Sequence, residues 1–181
     1  MNNKNLTLYL KNLPAIAFTQ SNMENSITVI HDDLYNVVTI LKKHINYQYK
    51  ILSCISGVDY LHNNYRFCIV YDLLSLLHNN RIRIKVNVNE VTLVKSIVNI
   101  FPNANWWERE VWDMYGIFFE NHTDLRRILT DYGFEGFPLR KDFPLTGYSE
   151  VYYNLSKKRV VVENIELAQD FRVFNYEKPW N

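Results

Sequence analysis

Cysteine is scarce: the 181 residues contain two, Cys54 and Cys68, each inside an apolar run. This chain alone has too few thiols for a four-cysteine iron–sulfur cluster or zinc site. A disulfide between the two stays open, but a pair of buried thiols in a reducing compartment is the simpler reading. Glycine and proline number five each, and no glycine-rich loop followed by lysine marks a phosphate site. No apolar run approaches the ~18 residues a membrane helix needs. The most apolar stretch, residues 67–77, is interrupted by Asp72. Excess charge is also missing. Twenty Lys and Arg face nineteen Asp and Glu, a formal net of +1, which argues against a highly basic nucleic-acid binder and against an acidic disordered chain. Residues 1–20 hold Lys4 and Lys11 but no arginine, so neither an arginine-rich transit peptide nor a secretory signal is expected there.

What is present is unusual. Hydrophobic residues make up 48% of the chain, enough for a packed core. Asparagine occurs 22 times, isoleucine 15 and tyrosine 13, against four alanines. The abundant types have AT-rich codons, which points to an AT-rich genome such as that of an organelle. Residues 1–104 carry ten basic and six acidic side chains, and residues 105–181 carry ten and thirteen. All four tryptophans, six of nine arginines and four of five glycines fall in the second part. The chain therefore divides near residue 104.

The first part predicts an α+β domain, a small mixed β-sheet with packed helices. Leu6, Leu10 and Leu13 have helical spacing, ended by Pro14. Residues 27–30 read as a strand. Asp32 and Asp33 then start a helix whose apolar stripe is Leu34, Val37, Val38, Leu41 and Ile45, with Lys42, Lys43 and His44 at its C-terminal end. Residues 49–58, 65–74 and 82–88 read as strands, with Asn63-Asn64 and Asn79-Asn80 as turns. Residues 90–100 read as a helix through Val91, Val94, Ile97 and Val98.

The second part, residues 105–181, predicts one short helix and then a largely irregular, extended C-terminal segment. The helix runs from Asn105 through Trp106, Trp107, Glu108, Arg109, Glu110, Trp112 and Asp113 to Tyr115, and Gly116 stops it. Asn105 and Glu108 have capping-box spacing, and Arg109 and Asp113 can pair four apart. Its three tryptophans among charges cannot all face so small a core, so the helix is expected to lie between its own domain and another surface. Residues 124–148 carry Gly133, Gly136, Pro138, Pro144 and Gly147, which forbid a long helix or a central strand. They are also rich in Leu, Phe and Tyr. A long apolar stretch without regular period is expected to be functional, and to keep its shape by lying against foreign polypeptide. Residues 159–165 read as a strand, and an aromatic segment ends at Trp180.

Catalytic patterns are weak. His31, His44, His62, His78 and His122 match no helical metal motif, and G-x-S-x-G is absent. Glu108, Glu110 and Asp113 surround Arg109 and read as a structural charge network. Arg126-Arg127 and Arg140-Lys141 are interleaved with Asp124, Asp131, Glu135 and Asp142. Mixed charge among aromatics is typical of protein interfaces. The interface candidates are Trp106, Trp107, Glu108, Arg109, Glu110, Trp112, Asp113, Arg126, Arg127, Tyr132, Phe134, Arg140, Lys141, Asp142, Phe143 and Trp180.

These residues carry a resemblance. Glu108-Arg109-Glu110, Asp113-Met114-Tyr115, then His122, Arg126, Ile128 and Leu129, resemble the 30 kDa subunit family of respiratory complex I, which has bacterial members and is called subunit 9 when mitochondrially encoded. Residues 129–136, 138–145 and 147–148 are similar in turn, as are Lys158-Arg159-Val160-Val161, Phe171-Arg172 and Pro179-Trp180. Two departures stand out: Thr123 where the family often has proline, and Phe137 where it often has histidine. The resemblance implies a non-catalytic structural subunit of the quinone-reducing module of NADH:ubiquinone oxidoreductase, a proton-translocating enzyme. It implies no cofactor on this chain; FMN, iron–sulfur clusters and ubiquinone belong to other subunits. It implies as partners the large quinone-cavity subunit and cluster-bearing neighbours, and no nucleic acid. Membrane association comes only through the complex, on the matrix side of the mitochondrial inner membrane. Two other readings stay open: the equivalent subunit of a membrane-bound hydrogenase-type oxidoreductase, and a free-standing nucleic-acid-binding or assembly factor.

Overall fold

The alternation of Ile82, Ile84, Val86 and Val88 becomes the buried face of a central strand. The computed structural model describes residues 16–20, 25–169 and 171–174. The helix expected over Leu6–Leu13 and the candidate Trp180 lie outside them. Strands β1 (Ile16–Gln20), β2 (Asn25–Val29), β3 (Ile51–Asp59), β4 (Phe67–Ser75) and β5 (Asn80–Val88) form one mixed sheet in the order β1-β2-β5-β4-β3. Strands β2 and β5 run parallel, and the other neighbours run antiparallel. Asn79, at φ +45°, makes the turn between β4 and β5, as the Asn-Asn pair predicts.

Helix α1 (Leu34–Lys43) connects the two halves of the sheet. Leu34, Val37, Val38 and Leu41 enter the core, each removing ~1.5–3 kcal/mol worth of apolar surface from water. Ile45 does not extend the stripe. It lies past the helix end and is 77% exposed. Lys42 reaches across to donate to the Ile100 carbonyl and lies over the Phe101 ring at 4.5 Å.

The helix expected over residues 90–100 is not there. A two-residue strand, β6 (Val94–Lys95), runs parallel to β7 (Phe119–Glu120). The N–H of Val94 donates to the Phe118 carbonyl (3.1 Å) and that of Ser96 to the Glu120 carbonyl (2.9 Å). Val94 and Ile97 are buried as the spacing requires, but Val91 is exposed. A run so rich in β-branched residues has weak helix propensity, and its amides found partners elsewhere in the fold.

Helix α2 (Ala104–Tyr115) packs on β3. Gly57 makes this possible, because a Cβ there would come within 2.6 Å of the Tyr115 ring. Gly116, at φ +76°, ends the helix as expected. By contacts the chain divides between Phe143 and Pro144, not near 104, since residues 104–143 fold onto the sheet domain. In the second unit, β8 (Ser149–Asn154) and β9 (Arg159–Asn164) form an antiparallel hairpin. The sequence pattern marks β9 but not β8.

Candidate functional site

Three carboxylates without solvent contact or nearly so, Asp59, Glu108 and Asp113, organise the irregular backbone. Asp113 leaves α2 on the side where residues 127–130 pass. Its Oδ2 accepts the N–H groups of Ile128 (3.2 Å), Leu129 (2.7 Å) and Thr130 (2.9 Å). Its Oδ1 accepts the Thr130 hydroxyl (2.6 Å) and the Arg127 guanidinium (3.1 Å). Burial pushes this carboxyl up, but the Thr130, Leu129 and Ile128 bonds outweigh burial and hold it below the ordinary aspartate value. The expected Arg109–Asp113 pair does not form, because Asp113 is filled by these donors. Arg109 instead donates through Nε to the Arg126 carbonyl (3.3 Å).

Asp59, at the end of β3, holds the next segment. Arg66 grips it with two bonds, Nε to Oδ1 (2.9 Å) and Nη2 to Oδ2 (3.0 Å). The Lys141 N–H donates to Oδ2 (2.8 Å), and Arg66 also reaches Asp142 (2.8 Å) and Glu90 (2.7 Å). The Arg66 bonds hold Asp59 below its ordinary value. Arg140 donates to the Tyr115 carbonyl (2.7 Å) and lies over the Phe137 and Phe67 rings. Phe137 sits against Gly116, where a Cβ would meet it at 2.6 Å, and edge-on to Trp112.

Glu108 faces the other way. Its side chain accepts the Ser96 hydroxyl (2.6 Å) and the Ile97 N–H (2.8 Å). This replaces the expected capping box. Asn103 holds the cap position and its side-chain amide donates to the Leu52 carbonyl (2.9 Å). Burial pushes Glu108 up to about 7 against those two bonds. The His122 side chain, enclosed on all sides, has Nε2 3.8 Å from Glu108 and 3.3 Å from the Asn105 carbonyl, while Nδ1 accepts the Asp124 N–H (3.0 Å). That pattern fixes the Nε2–H tautomer. Thr123, the other departure from the family pattern, accepts from the Asn105 side chain (3.2 Å).

The interface candidates thus separate. Glu108, Asp113, Arg127, Arg140 and the Lys141 amide are used within the chain, and Asp142 binds Arg66. The Phe134 and Phe143 rings meet tilted, with centroids 5.9 Å apart. Trp107 packs on the core and Trp112 contacts Phe118 and Phe137. Glu110 is half-buried. Trp106 (57%), Tyr132 and Arg126 remain exposed. The expectation that the back half needs a foreign surface to hold its shape is therefore corrected for residues 117–143, whose backbone is tied to its own domain. Sequence reasoning missed Asp59, Arg66, Glu90 and Ser96. Nothing in spacing marks an acid at a strand end as the anchor of an amide 82 residues later.

Cys54 and Cys68 are free thiols on adjacent strands, and Cys54 lies 3.7 Å from the Asp72 carboxylate. Among the described residues no group of three or more His, Cys, Asp or Glu side chains is placed to hold a metal ion.

Residues 27–149 match the family described as respiratory-chain NADH dehydrogenase, 30 Kd subunit. The chain is 55% identical over 149 residues to NADH dehydrogenase [ubiquinone] iron-sulfur protein 3 of Beta trigyna, covering 82% of this chain and 78% of that one. It is 54% identical over 157 residues to NADH-ubiquinone oxidoreductase subunit 9 of Reclinomonas americana, covering 87% and 77%. Among solved structures, one chain of the archaeal membrane-bound sulfane sulfur reductase, a respiratory membrane complex, superposes with a TM-score of 0.67 at 21% identity, covering 79% of this chain and 85% of that one. At that identity the likeness is one of fold. The name of the Beta trigyna relative mentions iron and sulfur, but two thiols in this chain, one beside a carboxylate and one buried, do not fit a cluster.

Proposed function

The chain belongs to the respiratory-chain NADH dehydrogenase 30 Kd subunit family, and from this we propose a non-catalytic structural role for it in the quinone-reducing module of NADH:ubiquinone oxidoreductase. The identity of more than half the residues across most of both chains carries the reading. Relatives such as the Reclinomonas subunit 9 support a mitochondrial placement. Among the described residues no helix is long and apolar enough to cross a membrane, which fits a peripheral subunit. We place it on the matrix side.

The site supports structure over chemistry. The carboxylates and guanidinium groups that resemble a reactive cluster have their partners inside the chain. FMN, clusters and ubiquinone are assigned to other subunits, the large quinone-cavity subunit being the main partner, and proton translocation to the assembled enzyme. Electron transfer along a row of clusters needs fixed spacing, so the subunits that carry them must not slide. A rigid domain with shaped irregular segments supplies a fixed surface. The exposed hairpin adds a second one, since Val151, Tyr153, Val160 and Val162 are each at least half exposed. Ordering such segments costs ~1–2 kcal/mol per backbone residue. The clasps meet that cost before assembly for residues 124–143.

Variants Arg109→Ala and Asp113→Ala are expected to lower the amount of assembled complex more than the turnover per assembled complex. Blue-native gels with quinone-reductase activity normalised to complex read both. Normal assembly with lost quinone reduction would assign a catalytic part and overturn the proposal.

A further inference from the structure

Beside α2 lies an open groove of about 590 Å³ whose lining includes Trp106, Arg109, Arg126, Arg127, Asp131 and Tyr132. Its charged lining is three guanidiniums against one carboxylate. Arg127 is committed to Asp113 and Arg126 pairs with Asp124 at 2.9 Å. Arg109 differs from both. Its helical neighbour at the pairing distance, Asp113, is filled by other donors, and among the described residues its hydrogen bond is through Nε to a carbonyl. The guanidinium lies over the Trp106 ring at 6.0 Å, and that ring is 57% exposed. Tyr132, on the same groove, is fully exposed. The Asp131 side chain is turned onto the Tyr132 N–H (2.8 Å). A cation with spare donors over one exposed aromatic ring, in a groove that a second exposed aromatic also lines and where Asp113 fixes residues 128–130, is the composition of an interface hot spot.

We propose that this groove seats an acidic segment of a partner subunit, with a carboxylate on Arg109 and apolar or aromatic groups on Trp106 and Tyr132. The inference rests on the reading of the chain as a complex subunit. Charge selects the occupant. A guanidinium with spare donors among aromatics favours a carboxylate-bearing polypeptide, whereas RNA needs more excess positive charge than a groove that Asp124 and Asp131 partly neutralise. Arg109 lies outside the three carboxylate clasps and its bond to the Arg126 carbonyl is long and exposed, so its replacement leaves the chain folded.

The test uses the purified complex carrying Arg109→Lys, treated with a water-soluble carbodiimide, which joins an amine to a carboxylate in contact. Mass spectrometry should find an isopeptide from position 109 to an Asp or Glu of another subunit. A parallel Arg109→Glu chain should incorporate at least ~10-fold less at limiting expression, with the melting temperature of the free full-length chain unchanged, and charge reversal at the cross-linked partner residue should restore it. Trp106→Ala should also lower incorporation. A cross-link confined to this chain, or none, with Arg109→Glu incorporating like wild type, overturns the groove proposal alone. Arg109-dependent retention of a single-stranded RNA probe overturns it as well. Absence of the wild-type chain from the purified complex would instead overturn the subunit reading.

Discussion

Glu108 is the side chain whose charge the fold controls most directly. Burial holds its carboxyl at about 7, against an unfolded value near ~4.3. The folded chain therefore binds more protons than the unfolded chain between those values, and Glu108 lowers stability as pH rises through that window. His122 works in the opposite sense. Burial keeps it below the ordinary histidine value, so the unfolded chain protonates first and stability falls as pH drops below ~6.5. Comparison with Glu108→Gln isolates the carboxyl. The variant should gain on wild type as pH rises from 5 to 8, by about 3 kcal/mol at the plateau. Thermal unfolding at several pH values reads this, and a flat difference would contradict the buried state of Glu108. Asp113 carries the opposite risk. Asp113→Asn places an amide donor among the N–H groups of residues 128–130 and leaves Arg127 without its carboxylate. A loss of about 3 kcal/mol or more is expected, with faster hydrogen exchange at residues 128–130.

At the scale of elements, the irregular segments and the hairpin differ in kind. Residues 127–130 and 140–142 lack ladder bonds, yet side-chain carboxylates of other elements fix them. Strands β8 and β9 have ladder bonds, and the Tyr152 hydroxyl adds one to Glu163 (2.8 Å), but they bury almost nothing. A two-stranded ribbon is marginal by itself in water. Amides of residues 149–164 should therefore exchange rapidly in the free chain, and slowly once the chain is in the complex. Hydrogen-exchange mass spectrometry of both forms measures this, and strong protection in the free chain would remove the hairpin as an assembly surface. The failed helix over residues 90–100 teaches the same lesson from the other side. Its apolar spacing was real, but the Ile97 amide found the Glu108 carboxylate instead of a carbonyl four residues back.

For the whole molecule, the chain divides by contacts at Phe143, and the sheet domain with its clasps lies in the first unit. A chain ending at residue 143 keeps the sheet, both helices of the described residues and all three carboxylate clasps. Its melting temperature should stay within a few degrees of the full chain, while its incorporation into the complex should fall several-fold. Thermal unfolding and blue-native gels read the two separately. Loss of folding on truncation would mean that residues 144–181 stabilise the sheet domain, contrary to this division.

The amino-acid sequence by itself determined the α+β class, four of the sheet strands, both helices described here and the Gly116 stop, because these rest on period, propensity and a single residue's φ. It also determined the family, because the sequence motif of α2 and the following segment is a string of residue types. Only the tertiary structure decided which acid holds which backbone. Asp113 binds residues 14 to 17 positions away and Asp59 binds Lys141. Such pairings depend on where the sheet brings distant segments together, and no local spacing encodes that. The same geometry decided that, among the described residues, Arg109 was left without a carboxylate, since the partner at helical distance had already been filled from across the fold.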